Sequence, residues 1–196
     1  MEPVDLDDLA HAQAAVTALL SDLAPDDWTR PTPCDPWDVA AVTRHLVTGE
    51  RAFTTALGGT AYDLPSLSAE VAAIANTDLP SAYAEGAARL REALAAADPA
   101  GTYPTGLGPM PPPAVDQLRT IEALTHGWDV GRGVGRLLRV DEPVSERAIT
   151  HSLALMERLP PERTPFGPPV EIADDAAALD RLVALLGRDP HAPVSG

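Results

Sequence analysis

The chain has 196 residues and an apolar fraction of 45%, which suits one folded domain, residues 1–196, with a sizeable core. All fourteen basic residues are arginines, and against 29 acidic residues they leave a net charge of −15. Such acidity argues against nucleic acid or an anionic membrane as a partner. The single cysteine excludes an internal disulfide. Neither a signal-peptide pattern nor an apolar run of about 18 residues is visible, so we expect a cytoplasmic protein.

Apolar residues recur at the spacing of an α-helix in four long segments. The second of these has clear start and stop signals, with Asp35 as N-cap, Pro36 at the first helical position and Gly58-Gly59 at its end. The predicted long helices cover approximately residues 5–23, 36–57, 81–97 and 113–131, and shorter helices cover 68–75, 142–158 and 174–186.

Strand signals are nearly absent. Residues 98–113 are rich in glycine and proline, which is typical of a lid or a wandering surface loop, and residues 160–172 predict an extended crossing segment. The pattern therefore predicts an all-α protein, a four-helix bundle with one or two extra C-terminal helices. Residues from about 140 to 196 would form a helical extension packed on the bundle.

Glu122 and His126 lie four residues apart on the fourth long helix, and therefore one turn apart on the same face. That face also carries Leu118, so we expect it to point into the bundle. A buried carboxylate is costly unless it has a metal cation, a proton or an arginine, for which Arg119 or Arg89 could serve. A contact between the two side chains without any metal is an equally open alternative.

His45 lies between Val42 and Leu46 on the inward face of the second helix, so two imidazoles and one carboxylate converge on the bundle interior. This ligand set suits zinc, with nickel or iron as alternatives. Three protein ligands leave a coordination position open, whereas structural zinc sites are closed by four, so the set indicates chemistry. Taken alone, His45 would be more typical of a core histidine with a hydrogen-bond partner.

Asp129 shares the inward face of the fourth long helix, where it can orient an imidazole or a bound water, or pair with an arginine near the helix end. Cys34 precedes the predicted start of the second helix, a position that favours a thiolate. Eleven residues of helix would place it about 16 Å along the axis from His45. We therefore expect Cys34 to pack beside Trp37 rather than to join the metal.

Two motifs, RPTPCDPWDVAAVTRHLV at residues 30–47 and IEALTHGWDVGRGVGR at residues 121–136, resemble those of the actinobacterial DinB-like metal proteins. Among these, the chain is similar to the mycothiol-dependent maleylpyruvate isomerase family. The resemblance implies a DinB-type four-helix bundle, a divalent metal held by His45, Glu122 and His126, and mycothiol as a thiol co-substrate. The isomerases carry a further C-terminal α/β domain, whereas the residues after about 140 are predicted to be helical here.

This resemblance implies a metal-dependent reaction of a low-molecular-weight thiol with a small electrophilic substrate, by S-transfer or isomerisation. A carboxylate on either molecule would need an arginine, for which Arg44, Arg89 and Arg132 are candidates, and we assign cofactor binding to Arg132 and Asp129. One alternative is a non-catalytic metal-binding DinB-like protein with a stress or metabolic role. Another is a non-haem iron oxygenase, which uses the same three ligand types. A homodimer is left open.

Overall fold

The fold, a computed structural model that describes residues 6–158 and 166–193, is built from α-helices. The helices are α1 (Asp7–Ser21), α2 (Val39–Leu57), α3 (Leu64–Ala72), α4 (Leu79–Ala96), α5 (Pro112–Val134), α6 (Glu142–Arg158) and α7 (Ala178–Leu185), with 3₁₀ turns at Pro25–Thr29 and Asn76–Asp78. Helices α1, α2, α4 and α5 pack on one another as a bundle, so the predicted all-α class is confirmed. No helix in the described part of the chain combines the length and the apolarity that a bilayer span requires.

The C-terminal helices pack on each other, and both contact α5. Helix α6 has the predicted bounds, whereas α7 is shorter than the predicted 174–186. The extended crossing segment predicted at residues 160–172 lies partly outside the described residues. In its described part Val170 donates its backbone N–H to the carbonyl of Ala184 at 2.9 Å, which ties the segment to α7. The division into bundle and extension at about residue 140 stays a prediction.

The bundle core consists mainly of aliphatic side chains, as expected from a chain with few aromatic residues. Gln13 interrupts the apolar stripe of α1 and is nevertheless 1% exposed. Its Nε2 donates to Glu50 Oε1 of α2 at 3.1 Å, so the buried amide has a polar partner from another helix. The fully buried apolar residues of α1, α2 and α5 include Leu9, Ala12, Val16, Val39, Val42, Leu46, Val47, Ala123, Leu124 and Val130.

The predicted start of α2 is wrong, because the helix begins at Val39 and its N-cap is Asp38. The Asp38 carboxylate accepts from the backbone N–H of Ala41 at 2.7 Å. Upstream of it, residues 31–38 form a closed turn in which Thr32 Oγ1 donates to the carbonyl of Trp37 at 2.7 Å. Asp35 and Pro36, which have capping character in the sequence, lie within this turn instead. The turn folds back over the first residues of α2 and brings its side chains close to the bundle.

The segment at residues 98–113 contains a small hairpin that the sequence did not predict. Strand β1 (Tyr103–Thr105) pairs antiparallel with β2 (Gly108–Met110). Gly108 has a φ of +103°, a conformation that glycine adopts without the strain a side chain would bring. Strand β1 contacts α2, and the backbone N–H of Gly106 donates to the Tyr62 hydroxyl at 2.8 Å. The segment is therefore a surface loop fixed against α2.

Candidate metal centre

The structure brings His45, Glu122 and His126 together, and we call these three residues the donor cluster. His45 comes from α2, and the other two come from successive turns of α5. His45 Nε2 lies 2.9 Å from Glu122 Oε2, and His126 Nε2 lies 3.5 Å from the same oxygen. One ligand atom from each residue lies within 4.8 Å of the other two. Tetrahedral ligands at about 2.0–2.1 Å from a zinc ion are about 3.3 Å apart, so the spacing suits one divalent ion.

The donor cluster lies between the bundle interior and the solvent. The side chain of His45 is 38% exposed, that of Glu122 17% and that of His126 9%. The indole of Trp37, in the turn before α2, packs 5.0 Å from the His45 ring and 6.2 Å from the His126 ring, measured between centroids. The cluster is thus shielded by an aromatic ring but is reachable from the side of His45.

Opposite charges stabilise one another at the donor cluster, and two pKa values show it. Burial would raise the pKa of Glu122, but the hydrogen bond with His45 and the charges of His126 and Arg119 outweigh it and lower that pKa to about 2. Burial would lower the pKa of His126, but hydrogen bonds with Asp129 and Cys34 and the charge of Glu122 raise it to about 9. At neutral pH a proton on His126 therefore supplies the positive charge that the carboxylates attract.

Asp129 holds the imidazole of His126 from the side opposite Glu122. It is fully buried, and its Oδ2 lies 2.9 Å from His126 Nδ1, which leaves Nε2 directed at the Glu122 carboxylate. The same carboxylate accepts from Arg188, from Nη2 at 3.1 Å and from Nε at 3.4 Å. Both contacts expected for Asp129, an imidazole and an arginine, are thus made at once. This arrangement matches the outer-shell carboxylates that orient metal-binding histidines.

Cys34 lies closer to the donor cluster than the sequence suggested. The expected separation of about 16 Å fails because residues 31–38 form a turn rather than the first turns of a helix. Ligand atoms of Cys34, His126 and Asp129 form a second set within 4.8 Å of one another. However, Arg188 Nη2 donates to Cys34 Sγ at 3.8 Å as well as to Asp129. Arg188 contacts two of the three residues of this set and repels a metal cation there, whereas Arg119 approaches the donor cluster at one residue, 3.8 Å from Glu122, so the set that includes His45 is the better site.

Arg188 is the residue of this region that the sequence did not indicate. It follows Gly187, whose φ of +86° ends α7, and its side chain is 13% exposed. The sequence did contain one signal for such a partner, because a buried carboxylate such as that of Asp129 needs a cation or another polar group. It could not select one arginine among fourteen, since the contact joins residues 59 positions apart.

The arginines that the sequence proposed are held elsewhere. Arg44 donates to the carbonyl of Ile74 and to the side chain of Asn76, and Arg89 forms an exposed pair with Glu85. Arg132 donates to a backbone carbonyl of the C-terminal segment and lies over the Trp128 ring. The structure therefore does not bring Arg132, a predicted cofactor-binding residue, to the donor cluster.

Arg119, the predicted alternative partner of Glu122, has a closer partner. Its Nη2 lies 3.3 Å from Glu50 Oε1, whereas its Nη1 lies 3.8 Å from Glu122 Oε2. Arg119 is 2% exposed, so both contacts are shielded from water. Glu122 consequently shares one arginine with Glu50 and still faces two imidazoles.

A cavity of about 640 Å³ lies on the far side of Trp37 and Arg188 from the donor cluster, and none of the three cluster residues lines it. It is formed by the turn before α2 and by the segment that follows α7, residues 187–193. Trp37 and Arg188 line this cavity, and both also contact the donor cluster or Asp129. A small molecule in the cavity would therefore lie beside the side chains that surround the cluster.

Comparison with known proteins identifies the family. The family described as the mycothiol maleylpyruvate isomerase N-terminal domain matches residues 9–131, from α1 into the last turns of α5. The chain belongs to this family. The bundle is thus a DinB-like domain of a mycothiol-related family, and all three residues of the donor cluster lie within the matched region. Helices α6 and α7 and Arg188 lie beyond it.

Proteins with similar sequences occur in Mycobacterium tuberculosis. An uncharacterised protein of strain H37Rv and one of strain CDC 1551 / Oshkosh are each 29% identical to this chain over 187 residues. Each alignment covers 92% of this chain and 96% of the relative, so the similarity extends past the family domain into the C-terminal helices. No solved structure matches the chain significantly.

Proposed function

We propose that this protein is a divalent-metal-dependent enzyme that uses a low-molecular-weight thiol such as mycothiol on a small electrophilic substrate. His45, Glu122 and His126 would hold the metal, and the reaction would be an S-transfer or an isomerisation. The observation that carries the proposal is the meeting of two imidazole nitrogens and a carboxylate oxygen around one point, on helices far apart in sequence. Membership of a mycothiol-related family supports the choice of thiol.

The donor set favours zinc, with nickel and iron as alternatives, because imidazole and carboxylate ligands suit all three ions. Three protein ligands leave room for a further ligand, which a closed structural site would lack. Bound there, a divalent cation supplies the Lewis acidity that favours the thiolate form of an incoming thiol at neutral pH.

The residues of this chain would prepare the site for that ligand. Asp129 fixes the ring of His126 so that Nε2 faces Glu122, and Arg188 in turn fixes Asp129. Trp37 excludes water from one side of both imidazoles, whereas the half-exposed His45 leaves the other side open to an incoming molecule.

A catalytic role is favoured over a purely metal-binding one by the surroundings of the cluster. The His45 side chain is 38% exposed, and a cavity of about 640 Å³ is lined by Trp37 and Arg188, which contact His45 and Asp129 respectively. A sealed donor cluster would have favoured the non-catalytic alternative. The two candidate reactions differ in the fate of the thiol, which S-transfer consumes and isomerisation regenerates.

The proposal is tested by elemental analysis and by thiol binding. We expect the purified protein to hold one divalent ion per chain and the variant His126→Ala to lose it, while His191→Ala, which changes an exposed histidine outside the cluster, keeps it. A thiol should then raise the melting temperature of the metal-loaded protein and leave that of the metal-free protein unchanged. Equal metal content in His126→Ala and the unmodified protein would refute the ligand assignment, and a thiol effect without metal would refute the role of the ion.

A further inference from the structure

A second cavity, which we call the Trp128 cavity, lies where the C-terminal end of α5 meets α6 and α7. Its volume is about 180 Å³, and its lining includes Trp128, Arg132, Arg136 and Ser145. No residue of the donor cluster lines it. The proposed metal-dependent reaction therefore makes no use of this cavity.

Two buried hydrogen-bond donors of the lining have no acceptor in the described part of the chain. These are the hydroxyl of Ser145, a fully buried residue of α6, and the Nε of Arg132. Arg132 is fixed through its other nitrogens, because Nη2 donates to the carbonyl of Ala192 at 2.8 Å. Buried donors are almost always paired in folded proteins, so these two point to an acceptor that the chain does not provide.

The unpaired polar atoms of the lining are donors, and one of them belongs to the Arg132 guanidinium. The other charged groups of the lining have partners. Arg136 Nη1 lies 3.7 Å from Asp22, Glu142 accepts from the backbone N–H of Ala178 at 3.4 Å, and Asp180 accepts from Trp128 Nε1 at 3.1 Å. An acceptor that carries a negative charge therefore suits the two donors that are left.

The rest of the lining is apolar and sets the size of the ligand. The indole of Trp128 and the side chains of Leu138 and Leu179 line the cavity, and Leu137, also in the lining, is 82% exposed. An apolar cavity of about 150 Å³ is known to hold a benzene molecule. A volume of about 180 Å³ therefore accommodates one ring or a branched alkyl group together with a carboxylate.

We propose that the Trp128 cavity binds a small monocarboxylate with an apolar body, about the size of benzoate. Its carboxylate accepts from Ser145 Oγ and Arg132 Nε, and its apolar part packs on the Trp128 indole. Arg132 is then a ligand-binding residue, but of this cavity and not of the metal centre. The site is independent of the proposed metal-dependent reaction, so failure of one proposal does not affect the other.

Titration of the chelator-treated, metal-free protein with benzoate tests the proposal, with calorimetry and tryptophan fluorescence as readouts. Removal of metal prevents the carboxylate from coordinating an ion at the donor cluster. We expect saturable binding with a Kd of about 1 mM or tighter. Benzamide, which is neutral and nearly isosteric, and acetate, which lacks the apolar body, should each bind at least about tenfold more weakly, as expected when a charged partner or an apolar contact is lost. No saturation at tens of millimolar, or equal affinity for benzamide, would overturn the proposal.

Matched variants locate the binding. Ser145→Ala should raise the Kd for benzoate about five- to tenfold and Arg132→Gln about tenfold or more, because each removes one donor. Arg139→Gln removes an exposed arginine of the same region that does not line the cavity and should leave the Kd unchanged. His126→Ala should also leave it unchanged. Binding that is insensitive to Ser145→Ala and Arg132→Gln, in variants with unaltered circular dichroism, would place the carboxylate elsewhere and refute the assignment.

Discussion

Two polar clusters meet at Glu122, and they differ in burial and in the kind of charge that faces the carboxylate. On one side lies the Arg119 network, formed by Gln13, Glu50 and Arg119, in which Glu50 is fully buried and Arg119 is 2% exposed. On the other side lies the donor cluster, with His45 half-exposed. In the Arg119 network the Glu50 carboxylate faces the Arg119 guanidinium and Arg91 donates to Gln13, whereas the donor cluster sets two imidazoles around one carboxylate.

The contrast separates a structural charge pair from a binding site. The Arg119 network is packed tightly, since a Cβ on Gly49 would collide with the Arg119 guanidinium, and glycine at this position leaves room for it. The donor cluster instead draws a proton onto His126, which a metal ion could replace. Burial and complementary charge thus indicate a structural role, and surplus ligand atoms with access to solvent indicate binding.

The largest effect is expected in the Arg119 network. Glu50→Ala leaves a buried guanidinium without its nearest counter-charge and should lower the free energy of unfolding by about 3–5 kcal/mol, measured by urea denaturation. Glu85→Ala, which removes one partner of the exposed pair with Arg89, should cost less than about 1 kcal/mol. Similar losses from the two substitutions would show that the network does not stabilise the bundle as described.

The next largest effect concerns pH and metal binding. His126 must be neutral to bind a metal, and its pKa is raised to about 9 in the metal-free fold, so binding displaces a proton below that pH. Metal affinity should therefore rise about tenfold per pH unit between pH 6 and 8, measured by calorimetry in buffers of different ionisation heat. An affinity that is flat over this range, with no proton release, would contradict the role of His126.

The raised pKa of His126 also affects the stability of the metal-free protein, which should fall as the pH rises, whereas metal affinity should increase. Protonated His126 stabilises the fold fully below its unfolded pKa of 6.5, and that contribution is lost as the pH rises through about 9. The melting temperature of the chelator-treated protein should consequently fall between pH 6.5 and 9. In His126→Ala this fall should shrink, and an unchanged pH profile in the variant would assign the effect to other groups.

A smaller effect is expected from the residue that orients His126. Asp129→Asn keeps the size of the side chain but weakens its bonds to the imidazole and to Arg188, and should reduce metal affinity about 10- to 100-fold. The metal should still bind at one ion per chain, because the three ligands are intact. Complete loss of metal would instead indicate that Asp129 is itself a ligand, and unchanged affinity would show that Asp129 has no role in metal binding.

The sequence predicted those parts of the molecule that depend on local spacing. The bundle helices follow from apolar residues at helical intervals, and Glu122 and His126 share a face because they are four residues apart. The turn before α2 was missed because Asp35-Pro36 and Asp38 both carry capping signals, and only the bonds of the folded turn select between them.

The parts of the site that depend on contacts between residues distant in sequence were not predicted. Arg188 reaches Asp129 from beyond α7, and nothing in its own neighbourhood distinguishes it from the other arginines. Arg132 was a candidate for cofactor binding because a carboxylate on the thiol or substrate would need an arginine. It lies six residues, or about 9 Å along the helix axis, from His126, and its side chain lines the Trp128 cavity instead.

The most direct test of the account is X-ray absorption spectroscopy of the zinc-loaded protein without added thiol. We predict nitrogen and oxygen ligands at about 2.0–2.1 Å, with the outer-shell scattering of two imidazoles, which would represent His45, Glu122 and His126 on one ion. A sulfur ligand at about 2.3 Å would place the ion on Cys34 instead, and a single imidazole would remove one of the two histidines from the site. Either result would contradict the claim that His45, Glu122 and His126 together hold the metal.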